Sequence, residues 1–250
     1  MTSSTALHAG IVALTFAIAG LVKGVTGMGL PTVAMGVLGS LMPPAQAAAL
    51  LVLPSLATNL WQLFGGAGVA RIARRLWTMM TGVAAGTLLA AVWMSARTGA
   101  WAAAGLGAAL ALYAIAGLRS WRLSIRPEHE RRLSPVIGIV TGLVTGTTGV
   151  FVIPAVPYLQ ALDLSKEDLI QALGLSFTVS TLALALGLAN AHALTAADLR
   201  DSLYALAPAL LGMGAGQRIR RRISVARFRR GFFVCLLALG LQLLGGALLR

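Results

Sequence analysis

Charge is scarce in this chain, acid scarcer still, and cysteine nearly absent. Charged residues make up 11% of 250 positions. A soluble domain carries about 25%, so this chain cannot cover a water-facing surface. Its hydrophobic content is 58% and its mean hydropathy +0.84, which also excludes disorder, collagen and a disulfide scaffold. The one cysteine, Cys235, forbids an internal disulfide. Set in an apolar run, it reads as a buried packing residue rather than a reactive thiol. The seven acids (Glu128, Glu130, Asp163, Glu167, Asp168, Asp198 and Asp201) all lie in loops or at the ends of apolar segments. No buried acid relay for protons is visible. There is no HExxH, no GxSxG and no clustered carboxylate pair, so the chain does not read as an enzyme. His8, His129 and His192 are peripheral too. Coupling to protons would fall to the solute itself, or to Asp168 or His192 at a mouth.

What remains is a polytopic membrane protein with almost no soluble part. Its formal charge is +13. In a soluble chain that would suggest nucleic acid; here arginine-rich loops are how a helical membrane protein sets its orientation. With no RNA-recognition pattern and no zinc-ligand set, we expect no nucleic-acid partner, metal or cofactor. A crossing helix needs about 20 apolar residues, and 45–64, 76–95, 99–118, 169–189, 199–217 and 230–249 qualify. Trp77, Trp93, Trp101 and Trp121 sit near segment ends as interfacial anchors. The N-terminus does not read as a signal peptide, because it has no basic n-region and its apolar run continues into a glycine-rich stretch.

Regions 6–42 and 133–162 are too long for one crossing. They are interrupted at Lys23-Gly24-Val25-Thr26-Gly27-Met28-Gly29-Leu30-Pro31 and at Thr145-Gly146-Thr147-Thr148-Gly149-Val150-Phe151-Val152-Ile153-Pro154. Glycine costs a helix interior about 1 kcal/mol and proline about 3, so both regions are expected to be broken helices. The interruptions superpose without gaps: Gly20 on Gly142, Gly24 on Gly146, Gly27 on Gly149, with Pro31 and Pro154 one place apart. Leu53 then meets Leu175 and Thr58 meets Ser180; after a small length difference, Gly82 and Gly86 match Pro208 and Gly212. Basic clusters at 71–75, 119–132 and 218–230 belong in the cytoplasm by the positive-inside rule. An even number of crossings then sends region 6–42 in from outside and region 133–162 in from the cytoplasm, with both termini outside. The expected fold is an all-α polytopic membrane protein of two inverted-topology repeats, 1–122 and 123–250, in a single membrane domain. Each repeat has a Gly/Pro-broken helix hairpin plus three spanning helices. The hairpins could be re-entrant or pairs of short spanning helices.

Non-helical backbone at membrane depth survives only inside protein or beside a cavity. Each break frees N–H groups at the start of a half-helix, whose end carries roughly half a positive charge. Matched breaks of this kind point to a transporter's binding site. The expected site is an anion held near the midplane between them. From the first break come Thr26, Gly27, Met28 and Gly29; from the second come Thr147, Thr148 and Gly149. Lys23 is the one cation well inside an apolar segment and would attract anionic substrate. Ser55, Thr58, Asn59 and Gln62 follow the spacing i, i+3, i+4, i+7 and form one helical face. The matching span offers Gln171, Ser176, Thr178, Ser180 and Thr181, of which Ser176 and Ser180 join the candidate site. The polar face could equally serve helix–helix hydrogen bonding.

The stretches Gly24-Val25-Thr26-Gly27-Met28-Gly29-Leu30-Pro31 and Leu41-Met42-Pro43-Pro44-Ala45-Gln46-Ala47-Ala48-Ala49 through Pro54-Ser55-Leu56-Ala57-Thr58-Asn59-Leu60-Trp61-Gln62 resemble the sulfite exporter family, TauE/SafE (TSUP). The second break departs from a more glycine-rich family pattern at Thr147-Thr148 and Phe151. The resemblance implies a multi-pass transporter of the bacterial inner membrane that moves sulfite, thiosulfate, sulfoacetate or another sulfonate, with export the expected direction. Its partners are then a small anionic substrate and the lipid bilayer, with a homodimer left open. The competing readings are a channel-like anion conductor and a membrane assembly protein that docks through its arginine loops.

Overall fold

The computed structural model describes residues 3–96, 100–119 and 124–248. Arg122, Trp121 and the side chain of Trp93 lie outside the described residues. Among those described the chain forms ten helices and no strand: α1 (Ser3–Thr26), α2 (Leu30–Leu38), α3 (Pro44–Leu63), α4 (Val69–Ala96), α5 (Ala100–Arg119), α6 (Pro127–Thr148), α7 (Ala155–Gln160), α8 (Lys166–Asn190), α9 (Ala196–Arg220) and α10 (Val225–Leu248).

Among the described residues four stretches are long and apolar enough to cross a membrane: Leu7–Thr26, Trp101–Arg119, Lys166–Asn190 and Val225–Ala247. Three of them cover expected spans, and the fourth lies in the first long region. The expected spans 45–64, 76–95 and 199–217 fall in α3, α4 and α9, which have 20, 28 and 25 residues. Length is therefore not what separates them. α3 buries a polar face, and α4 and α9 carry arginines at Arg71, Arg74, Arg75, Arg200, Arg218 and Arg220.

α1 stops at Thr26 because the next residues turn left-handed: Gly27 has φ +81° and Gly29 φ +105°. A side chain in that region costs about 1–2 kcal/mol. Pro31 opens α2, where its missing N–H is no loss. α6 stops at Thr148 in the same way, with Gly149 at φ +72°. The local hydrogen bonds also match: Met28 N donates to the Thr26 hydroxyl and Val150 N to the Thr148 hydroxyl, each at 3.2 Å.

α1 packs on α9, α6 on α4 and α5 on α10, while α3 lies against α8 and α9 and α8 against α4. Glycines govern these seams. A Cβ at Gly20 would stand 3.0 Å from Met213 N, and one at Gly212 3.0 Å from Leu21 N. On α4 and α6, a Cβ at Gly86 would stand 2.5 Å from the Ile139 carbonyl and one at Gly142 2.6 Å from Thr87 N. Gly107 and Gly240 face each other the same way, each Cβ meeting the other's carbonyl at 2.7 and 2.8 Å. Backbones this close explain the spaced small residues, because helices in lipid associate by packing rather than by a hydrophobic drive.

One sequence expectation is overturned: Cys235 is exposed. It shares the outer face of α10 with Val234 and Leu241, which are also exposed. An apolar run predicts burial when the surroundings are water. A spanning helix turns such residues outward as readily as inward.

Candidate functional site

The centre of the site is Lys23, three residues before the first break. Its side chain is 2% exposed. Its amino group donates to the Thr58 hydroxyl at 3.0 Å and to the Asn59 side-chain oxygen. Thr58 in turn donates to the Pro54 carbonyl at 2.7 Å, and Asn59 Nδ2 donates to the Thr181 hydroxyl at 3.2 Å. A chain of hydrogen bonds thus runs from α1 through α3 to α8. Among the described residues no carboxylate pairs with Lys23. An ammonium offers three donors, and two are used on neutral oxygens. Burying a cation without a counter-charge is expensive by several kcal/mol.

Gln62 lies one turn beyond Asn59. Its Nε2 donates to the Gly27 carbonyl at 2.6 Å and so ties α3 to the break. Its Oε1 and the hydroxyls of Ser55, Ser176 and Ser180 are buried with no hydrogen-bond partner. Ser55, Thr58, Asn59 and Gln62 are all buried. Thr26 is half-buried; its hydroxyl donates to the Met28 carbonyl at 2.6 Å and accepts from Met28 N, stitching the break closed. Met28 and Gly29 are buried, and the Met28 sulfur accepts from the Tyr113 hydroxyl at 3.1 Å.

A cavity of about 470 Å³ reaches this cluster. Its lining joins Lys23, Gly24, Gly27 and Gln62 to Met213, Gln217, Arg220 and Arg221. Sequence reasoning missed the α9 contribution, because Met213 and Gln217 meet Lys23 only through the α1–α9 seam. Arg220 and Arg221 were visible as a basic cluster, and only the fold places them in this lining.

The second break is built differently. Val150, Phe151 and Val152 are fully buried, and Phe151 lies against Phe177 with ring centroids 5.3 Å apart. The α2 residue Met35 fills the space over Gly149, its sulfur 3.0 Å from where a Cβ would be. Thr148 donates to the Val144 carbonyl. Thr147 is exposed, and its hydroxyl returns to the Leu143 and Val144 carbonyls. α7 has only six residues. The two breaks meet α5 at different heights: Met28 touches Tyr113, whereas Thr148 faces Gly105. Eight residues of helix separate these points, about 12 Å of rise.

Gln171 has a local task. Its Nε2 donates to the Leu63 and Gly66 carbonyls, each at 2.8 Å, and its Oε1 accepts from Gly68 N at 3.0 Å. It thereby caps the end of α3. Beside it, Arg71 pairs with Asp168 at 2.6 Å, and Arg75 pairs with Glu130 at 2.7 Å. The hydrogen bond to Glu130 raises the Arg75 pKa against an opposing effect of burial. These pairs lock the start of α4 to α6 and α8. Among the described residues no group of three His, Cys, Asp or Glu lies together to hold a metal ion.

The family model for the Sulfite exporter TauE/SafE matches residues 12–243. No curated protein and no solved structure matches the chain. The match spans nearly the whole length, one of the two stretches that resemble this family begins next to Lys23 and the other contains its partners, and the helices are those of a multi-pass membrane protein: the chain belongs to the sulfite exporter TauE/SafE family of transporters.

Proposed function

We propose that this protein carries a small sulfur oxyanion across the bacterial inner membrane, binding it at Lys23 and releasing it chemically unchanged. One observation carries the reading: a buried amino group with only neutral partners and an unused donor stands in the wall of a cavity that Arg220 and Arg221 also line. An oxyanion entering there supplies the missing counter-charge and accepts the third N–H. Gln62, Ser55, Ser176 and Ser180 hold hydrogen-bonding capacity nearby for the remaining oxygens. Arg220 and Arg221 concentrate anions at the opening. The positive-inside rule makes that opening cytoplasmic, together with loops 71–75 and 119–132, and a cytoplasmic opening suits export.

The two-repeat organisation, 1–122 and 123–250, is part of the same proposal. Exchanging α1 for α6, α3 for α8, α4 for α9 and α5 for α10 turns the α1–α9 pairing into α6–α4 and leaves α3–α8 and α5–α10 unchanged. The equal hydrogen bonds at Thr26–Met28 and Thr148–Val150 support it. In an inverted pair the two breaks serve opposite faces. The anion then sits beside the first break in this conformation, about 7 Å along the axis from the cytoplasmic end of α3, and not equally between the two. The apolar contacts of Phe151 and Met35 close the other side.

The test is flux in proteoliposomes loaded with sulfite, thiosulfate, sulfoacetate or 2-aminoethanesulfonate. We expect saturable, counterflow-competent movement of at least one of them, lost in Lys23→Met. Flux of none, or flux indifferent to Lys23, overturns the assignment; unsaturable flux without counterflow makes the protein a channel.

A further inference from the structure

We propose a binding site for an anionic phospholipid where α10 enters the membrane. The cavity there measures about 510 Å³, within the range of small-molecule sites. Its lining combines Arg227, Arg229 and Arg230 with Leu118 of α5, Val225 and Phe233. Val225 is also the first residue of the apolar stretch Val225–Ala247. The cavity therefore straddles the boundary between headgroups and hydrocarbon, whichever face of the membrane it occupies.

The charge around it is unbalanced. Arg126 is near Glu128, Arg71 pairs with Asp168, Arg75 with Glu130 and Arg200 with Asp201. Asp198 is engaged in the capping box of α9. Among the described residues no carboxylate pairs with Arg227 or Arg230. Arg229 lies with its guanidinium 6.0 Å from the centre of the Phe233 ring. Three cations within four residues also stand at the positive end of the α10 dipole, the unfavourable end for them. A phosphodiester relieves both strains, and arginine forks match its oxygens two at a time. Basic pockets between membrane helices take anionic headgroups on these grounds. Free phosphate would satisfy the arginines but leave the wall of Leu118, Val225 and Phe233 unused. An acyl chain continues along that wall, so the occupant we assign is a phospholipid.

The experiment uses the full chain purified in a neutral detergent and stripped of lipid. Its thermal midpoint is measured with added cardiolipin, phosphatidylglycerol, phosphatidylethanolamine or inorganic phosphate. The variants are the pairs Arg227→Gln with Arg230→Gln and, as a charge-matched control, Arg131→Gln with Arg132→Gln. We expect the two anionic lipids to raise the midpoint more than phosphatidylethanolamine does. The first pair should lose at least half of that gain and the control pair should keep it. Equal stabilisation by all three lipids, an equal loss in the control, or full stabilisation by inorganic phosphate alone overturns the site. Native mass spectrometry of the wild-type protein needs no variant: retained anionic lipid supports the proposal, and retention of none rejects it.

Discussion

Lys23 on α1 donates to Thr58 on α3 at 3.0 Å, bridging 35 positions of chain in a fully buried setting. The bond does two things at once. It holds the last turn before the first break against α3, and it presents an amino group to the cavity beside it. Removing that amino group separates binding from stability. Lys23→Met leaves the Asn59 oxygen without its donor, which costs about 1–3 kcal/mol, and it also removes a buried charge of comparable cost. We expect the thermal midpoint to move little and the affinity for sulfur oxyanions to fall about tenfold or more, near 1.4 kcal/mol. Titration calorimetry on both proteins measures this, and unchanged affinity in the variant would defeat the site.

Ser202 and Pro54 form a second testable pair. Proline at 54 leaves the Leu50 carbonyl without its helical donor. The Ser202 hydroxyl donates to that carbonyl at 2.8 Å and accepts from Leu53 N at 3.0 Å. Ser202→Ala should destabilise by about 1–3 kcal/mol. Adding Pro54→Ala restores a backbone donor, so the double variant should be more stable than Ser202→Ala alone. A double-mutant cycle with strictly additive effects would show that the kink and the hydroxyl are independent.

The glycine seams predict a reversal of sign. Gly→Ala in a helix ordinarily stabilises by about 0.5–1 kcal/mol. At Gly214 and Gly231 an added Cβ meets nothing within 4 Å, and that gain is expected. At Gly142 the added carbon would press on backbone from Val83 to Thr87, and a loss of about 1–3 kcal/mol is expected. Thermal unfolding of the three single variants measures it. A stabilised Gly142→Ala would mean that α4 and α6 do not approach as closely as they do here.

Two of the three left-handed glycines, Gly27 and Gly149, should also differ. A Cβ at Gly27 has no neighbour nearer than 3.8 Å, so only its φ of +81° opposes a side chain. Gly27→Ala should cost about 1–2 kcal/mol, and Gly27→Asn less, because asparagine tolerates that region. At Gly149 the φ of +72° is joined by Met35 at 2.8 Å, and Gly149→Ala should cost more than Gly27→Ala. Equal losses at the two positions would count against the packing of Met35 over the second break.

Composition and local spacing were enough for the class of molecule, the places where α1 and α6 stop, and the buried face from Ser55 to Gln62. Each follows from short-range physics: too little charge to meet water, glycines that alone accept a left-handed turn, and a repeat of 3.6 residues that gathers polar groups on one side. The tertiary structure decided the rest. It joined Lys23 to Thr58 and Asn59, gave Gln171 the carbonyls at the end of α3, filled the second break with Phe151 and Met35, and set Arg220 and Arg221 in the lining of the cavity. It also turned Cys235 outward, where hydropathy pointed in. These outcomes depend on which helices share a seam, and that is settled by backbone-to-backbone fit between segments far apart in the chain, to which local pattern is blind.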